Sequence, residues 1–152
     1  MPRFISIFSM IGLFSFLSCS RISATPPTSI IWWEKGMATR IEQKESLAAC
    51  QQLWKALGKT KAEPLRMIVT EAYITRQKQE GKGLFFTWDR PVSHPIKGKR
   101  NAVQKVFVDM TACDEQAKKG TVWVFTANEK GYQTPAYAVS IDLQAIDFLS
   151  TL

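Results

Sequence analysis

Apolar and polar positions follow two different rhythms along this chain. Between Ala38 and Leu57, the residues Leu47, Cys50, Trp54 and Leu57 recur at steps of three and four. Lys44, Glu45, Gln52 and Lys55 fall elsewhere on the wheel. That spacing predicts an amphipathic helix over 38–57 with Cys50 on its inward face. Gly58 is placed to cap its C-terminus, with Pro64 beyond. Further on, short runs rich in β-branched and aromatic residues predict strands over Met67–Thr75, Leu84–Trp88, Val103–Met110, Thr121–Thr126 and Tyr137–Leu143. In the last of these, Tyr137, Val139, Ile141 and Leu143 alternate with smaller or polar residues, the pattern of a strand with one buried face. Gly81-Lys82-Gly83 and Asn128-Glu129-Lys130-Gly131 predict turns. Asp142–Leu149 also fits a short terminal helix with Ile146 and Leu149 inward.

A helix with a single apolar stripe must bury it against something, and a sheet is the partner available. The prediction is one α+β domain over 30–152, an N-terminal helix packed on a roughly five-stranded antiparallel sheet that follows a cleaved signal segment. The order resembles cystatin-like domains, in which a helix lies on a meander. A fold resemblance of that kind carries no function with it.

The start of the chain reads as an address. Arg3 is followed by seventeen uncharged residues, Phe4 to Ser20, rich in Phe, Ile and Leu. A positive start and a short apolar run form the pattern of a secretory signal. Six of the seventeen are Ser or Gly, and a spanning helix wants about 20 apolar residues. Phe16-Leu17-Ser18-Cys19 resembles the lipobox of bacterial lipoproteins. That resemblance implies a signal peptide over 1–18, a lipid attached to the Cys19 thiol, and a tether over 19–29. With Ser20 after the cysteine, it further implies an outer-membrane lipoprotein facing the periplasm, held to the membrane by its acyl chains. Two alternatives stay open: cleavage after Ala24, giving a soluble periplasmic or secreted domain, and an uncleaved anchor helix.

Export changes the meaning of the cysteines. With Cys19 lipidated or removed, Cys50 and Cys113 remain, and an even remainder in an oxidising compartment predicts one disulfide. Closing its loop is worth roughly 4 kcal/mol in the chain-entropy account. His94 is the one histidine, so no metal site is expected. No cofactor and no small-molecule ligand is indicated by any motif.

The net charge of +7 is unevenly spread. Residues 55–105 hold twelve Lys and Arg against four Asp and Glu, and residues 106–152 hold three against six. The densest basic stretch is the loop Arg90–Arg100, where Pro91 and Pro95 stiffen the backbone and Lys97, Lys99 and Arg100 surround Gly98. With His94, these residues form a candidate platform for phosphate or carboxylate groups. Nucleic acid is not the expected partner, because an exported domain seldom meets it and Phe85, Phe86 and Trp88 read as core. Adjacent Trp32 and Trp33 cannot share one face, so one of them is a candidate contact with a partner or membrane.

The chain carries no GxSxG, HExxH, P-loop or GxGxxG. For an envelope enzyme acting on wall or lipid material, the alternative reading, Glu71, Asp89 and Asp109 lie on or beside predicted strands, and nothing pairs them at catalytic spacing. The reading is therefore a binding or assembly module of the cell envelope. Its partner would be an envelope protein, met either as an accessory of a secretion or envelope complex or as an inhibitor or immunity protein. The soluble form would be a secreted domain binding anionic surfaces.

Overall fold

A computed structural model describes residues 25–113 and 119–142. The described strands form a single antiparallel sheet, with two helices. The chain opens with a hairpin, β1 (Ser29–Glu34) and β2 (Met37–Arg40). Its two-residue turn, Lys35-Gly36, has positive φ at both positions, 47° and 82°. That is the twist a tight hairpin requires. The turn folds Met37–Arg40 back on β1, so the helix expected from Ala38 cannot begin there. Helix α1 runs instead over Lys44–Lys59, and Thr60 rather than Gly58 caps it, its hydroxyl donating to the Ala56 carbonyl at 3.0 Å.

Strand β3 (Ala62–Leu65) lies at the far edge of the sheet, where Pro64 is tolerated. Helix α2 (Glu71–Glu80) follows, and it corrects the strand expected over Met67–Thr75. Thr70 accepts from the Tyr73 amide at 3.1 Å and Glu71 sits in the first turn, both helix-start signals. The sheet also has no place for such a strand, since its neighbour in sequence, β4 (Lys82–Val92), already pairs with β1 and with β5 (Val103–Asp109). Strands β6 (Lys119–Asn128), β7 (Gly131–Tyr132) and β8 (Ala136–Asp142) complete it, in the order β2-β1-β4-β5-β6-β8-β3 with β7 on β6. The expected count of about five strands was therefore low. Edge strands β2 and β3 are four residues each and carry little apolar signal, and β7 is two residues long. The possible terminal helix falls outside the described residues.

The pleat sorts side chains to two faces. Leu84, Phe86, Val106, Val108, Val122, Val124 and Val139 share one core cluster with Cys50, Leu53 and Leu57 of α1. Phe107, Phe125 and Ala136 form a second cluster with Val69 and Ile74 of the α2 arm. The chain thus crosses one face in α1, turns at β3, and returns across the other face in α2. A helix-on-meander fold leaves that second face open, so the resemblance to cystatin-like domains does not extend to this architecture.

Candidate functional site

The C-terminal end of α1 and the loop 93–100 come from parts of the chain about forty residues apart. Ridge and loop meet closely. A Cβ on Gly58 would stand 3.3 Å from the Pro95 carbonyl oxygen, so a side chain there would push the loop away. Pro95 and Ile96 are buried against the helix, while Lys97, Lys99 and Arg100 are exposed. Between helix and loop runs a groove of about 540 Å³, lined by Lys55, Lys59, Lys97 and Lys99. A second hollow of about 390 Å³ adjoins it, sharing Lys59, Lys97 and Lys99 and adding Lys61. Among the described residues, no Asp or Glu lines either hollow.

The floor is apolar and aromatic. Trp54 and Val92 line it, and Trp54 packs against Trp88 with ring centroids 4.8 Å apart. Thr25 closes one end, and its carbonyl accepts from the Trp88 indole at 2.9 Å. Thr28 is tied to the same strand: its amide donates to the Thr87 carbonyl at 2.8 Å, and its hydroxyl accepts from the Asp89 amide at 3.2 Å. Residues 25–28 of the expected tether are thus laid along β4.

Lys97 and Lys99 of the expected anion platform belong to the groove, and Lys99 is braced by its ammonium lying 5.0 Å from the Tyr137 ring centroid. Arg100 is exposed but does not line the groove. His94 requires a correction. Its Nδ1 accepts from the Ile96 amide at 3.1 Å, which places the ring proton on Nε2, 3.5 Å from the Thr126 hydroxyl. That hydroxyl donates to the Gln133 side-chain carbonyl at 3.2 Å, and the Gln133 amide donates to the Ala102 carbonyl at 3.3 Å. Burial, and secondarily Lys99, lowers the imidazole pKa to about 4. His94 lines the groove beside Lys97 and Lys99, but as a neutral strut that holds the loop to β6 rather than as a cation. The sequence showed it among lysines and could not show that both ring nitrogens are occupied.

Three lysines of the groove, Lys55, Lys59 and Lys61, were not singled out from the sequence. Lys55 and Lys59 on the surface of α1, and Lys61 just beyond it, read as ordinary solvated positions, and only the packing of the loop brings them to Lys97 and Lys99.

The tryptophan pair is also corrected. Trp32 is a core residue on the α1 face. Trp33 is half-buried on the other face, with the Lys78 ammonium 5.2 Å from its ring, so neither presents a free surface indole. Cys50 and Cys113 are both buried in one apolar cluster and are not bonded to each other in this structure. The Cys113 thiol donates to the Thr121 carbonyl at 3.6 Å, and burial pushes the Cys50 thiol up to about 12. Of the carboxylates considered for catalysis, Asp109 is buried and accepts from the Thr111 amide at 2.9 Å, which commits it to a turn. Glu71 starts α2, and Asp89 is exposed beside the first residues of the fold. Among the described residues, no group of His, Cys, Asp and Glu is arranged to hold a metal. Comparison of the chain with protein families, curated proteins and solved structures gives no match.

Proposed function

We propose that this chain is an exported, lipid-anchored binding module of the cell envelope that engages an anionic partner through the lysine groove. The observation that carries the reading is the convergence of five lysines from two distant segments on two adjoining hollows that no acidic residue lines among the described residues. Like charges gathered this way repel one another, and an anionic occupant relieves that repulsion. The lysines present separate point charges on flexible stems rather than the fixed fork of arginine, which favours an occupant with distributed phosphate or carboxylate groups. Export rests on the Arg3 start, the apolar run and the lipobox-like Phe16–Cys19. An oxidising compartment would join Cys50 to Cys113, two thiols of the same cluster.

Two measurements test the reading. The intact mass of protein recovered from cell envelopes without reductant should begin at Cys19, carry acyl chains and be two hydrogens light. A mass beginning at Thr25 without lipid removes the anchor. For the groove, binding of inorganic polyphosphate should weaken at least about tenfold in Lys97→Glu/Lys99→Glu and again when salt rises from about 0.05 to 0.5 M. Unchanged affinity in the double variant overturns the anionic reading.

A further inference from the structure

The place where the chain enters the fold and the place where the lysines gather are the same. Thr25 lines the groove beside Lys55, Lys59, Lys97 and Lys99. It is held there by the Trp88 indole, and the next residues are bonded along β4. Four positions before it in sequence stands Arg21, and two before that Cys19 at the end of the apolar run. Thr25 is six positions beyond Cys19, a span of at most about 20 Å at full extension. An acyl anchor at Cys19 therefore holds the groove within about two to three Debye lengths of the headgroup layer.

We infer that the groove seats on the anionic phospholipid headgroups of the bilayer that carries the anchor, giving the domain a second point of attachment and one fixed orientation. This rests on the proposed lipid-anchored reading and names the occupant of its groove. Three features of the site fit headgroups. The charges are lysines spread over two adjoining hollows, which suits phosphates that diffuse in a plane more than one compact anion. The floor carries Trp54, half-buried, and indoles favour the boundary between apolar and wet surroundings. The acyl chains already hold the domain at the bilayer, so a basic patch beside the anchor sets which side faces the lipid, where a patch on the far side does not. Each lysine near an anionic surface is worth about a fivefold gain in partition. The five together are sufficient to set which side of the domain faces the lipid. An acidic protein would fit the same charges, but nothing about it would require the groove to lie where the chain leaves the membrane.

The test uses the chain from Ser20 onward, which contains every residue of the described fold and lacks the acylated cysteine. Its sedimentation is measured with vesicles of phosphatidylcholine alone and with about 30% phosphatidylglycerol, at about 0.05 and 0.5 M salt, beside polyphosphate binding. The expected result is binding to the phosphatidylglycerol vesicles only, weakened at least about tenfold by high salt and by Lys97→Glu/Lys99→Glu. Arg66→Glu/Lys130→Glu, which makes the same charge change outside the groove, should weaken it far less. Polyphosphate binding without a preference for phosphatidylglycerol vesicles overturns this inference and leaves the anionic groove standing. Vesicle binding that both double variants weaken equally also overturns it, because net charge and not the groove is then responsible. Loss of both polyphosphate and vesicle binding overturns the groove reading as well.

Discussion

The ammonium of Lys78 lies 3.9 Å from the centroid of the Phe85 ring, with the rings of Trp33 and Phe107 at 5.2 and 5.9 Å. The last turn of α2 is thus packed on the second face of the sheet through a lysine. The contact is reinforced by the β1–β2 turn, whose Gly36 amide donates to the Lys78 carbonyl at 2.9 Å and whose Lys35 amide donates to the Gly81 carbonyl at 2.8 Å. These bonds satisfy carbonyls that the end of a helix leaves without partners.

Two opposing effects act on Lys78. The rings attract the cation by about 0.5–2 kcal/mol, and burial disfavours the charge. Burial is the largest influence on its pKa, which is lowered. Lys78→Met, which keeps most of the stem and drops the charge, should therefore change stability by less than about 0.5 kcal/mol. Lys78→Ala should cost about 1 kcal/mol through lost packing. Urea unfolding of both variants checks this. A cost above about 1 kcal/mol for the methionine variant would show that attraction to the rings dominates.

His94 makes stability depend on pH with a definite sign. Its folded pKa, about 4, lies below the ordinary value of 6.5. Between those values the unfolded chain binds a proton that the folded chain refuses. The contribution is fully present above about pH 6.5 and is lost as pH falls towards 4, by about 1–2 kcal/mol once solvent screening of the part-exposed ring is allowed for. Carboxylates add their own acid sensitivity, so the readout is a difference. The wild type should lose more stability than His94→Gln between pH 7 and 4, and the imidazole resonances should not titrate above about pH 5. A histidine titrating near 6.5 would refute the neutral strut.

Gly83 faces β5 without room for a side chain. A Cβ there would collide with the Val108 carbonyl and stand 2.9 Å from the Phe107 ring. Neither can retreat, because Phe107 is fully buried between the sheet and α2 and Val108 belongs to the ladder. Gly83→Ala should cost at least about 2 kcal/mol in denaturant unfolding. A cost under about 0.5 kcal/mol would mean that this part of the ladder yields more easily than its packing implies.

Cys50 and Cys113 should be silent towards thiol reagents in the native protein. Both are buried, and the depressed acidity of Cys50 leaves almost no thiolate at neutral pH. Protein taken from an oxidising compartment and denatured without reductant should show no free thiol. Protein made in a reducing cytosol should show two once unfolded. Two thiols in the exported protein would establish the buried free pair as its native state.

Much of the α+β character was legible in local patterning. The stripe Leu47, Cys50, Trp54, Leu57 marks α1, and the runs at 84–88, 103–109, 121–126 and 137–142 fall on strands, because side-chain periodicity reflects which face is buried. The segment 67–75 misled for a reason of the same kind. Val69, Tyr73 and Ile74 have strand-forming side chains, but the pairing positions beside β4 were already taken and the exposed second face needed cover. That is a property of the assembled sheet, and no short window of sequence contains it. The site divides the same way. Lys97 and Lys99 stood out as a basic loop, since charge density is local. Their partners Lys55, Lys59 and Lys61, the neutral state of His94 and the arrival of Thr25 at the groove depend on contacts between segments far apart in the chain. Only packing brings those segments together, because the tight approach of the loop to Gly58 and the bonds of His94 to Ile96 and Thr126 exist only once α1 and the loop lie on the same face of the finished sheet.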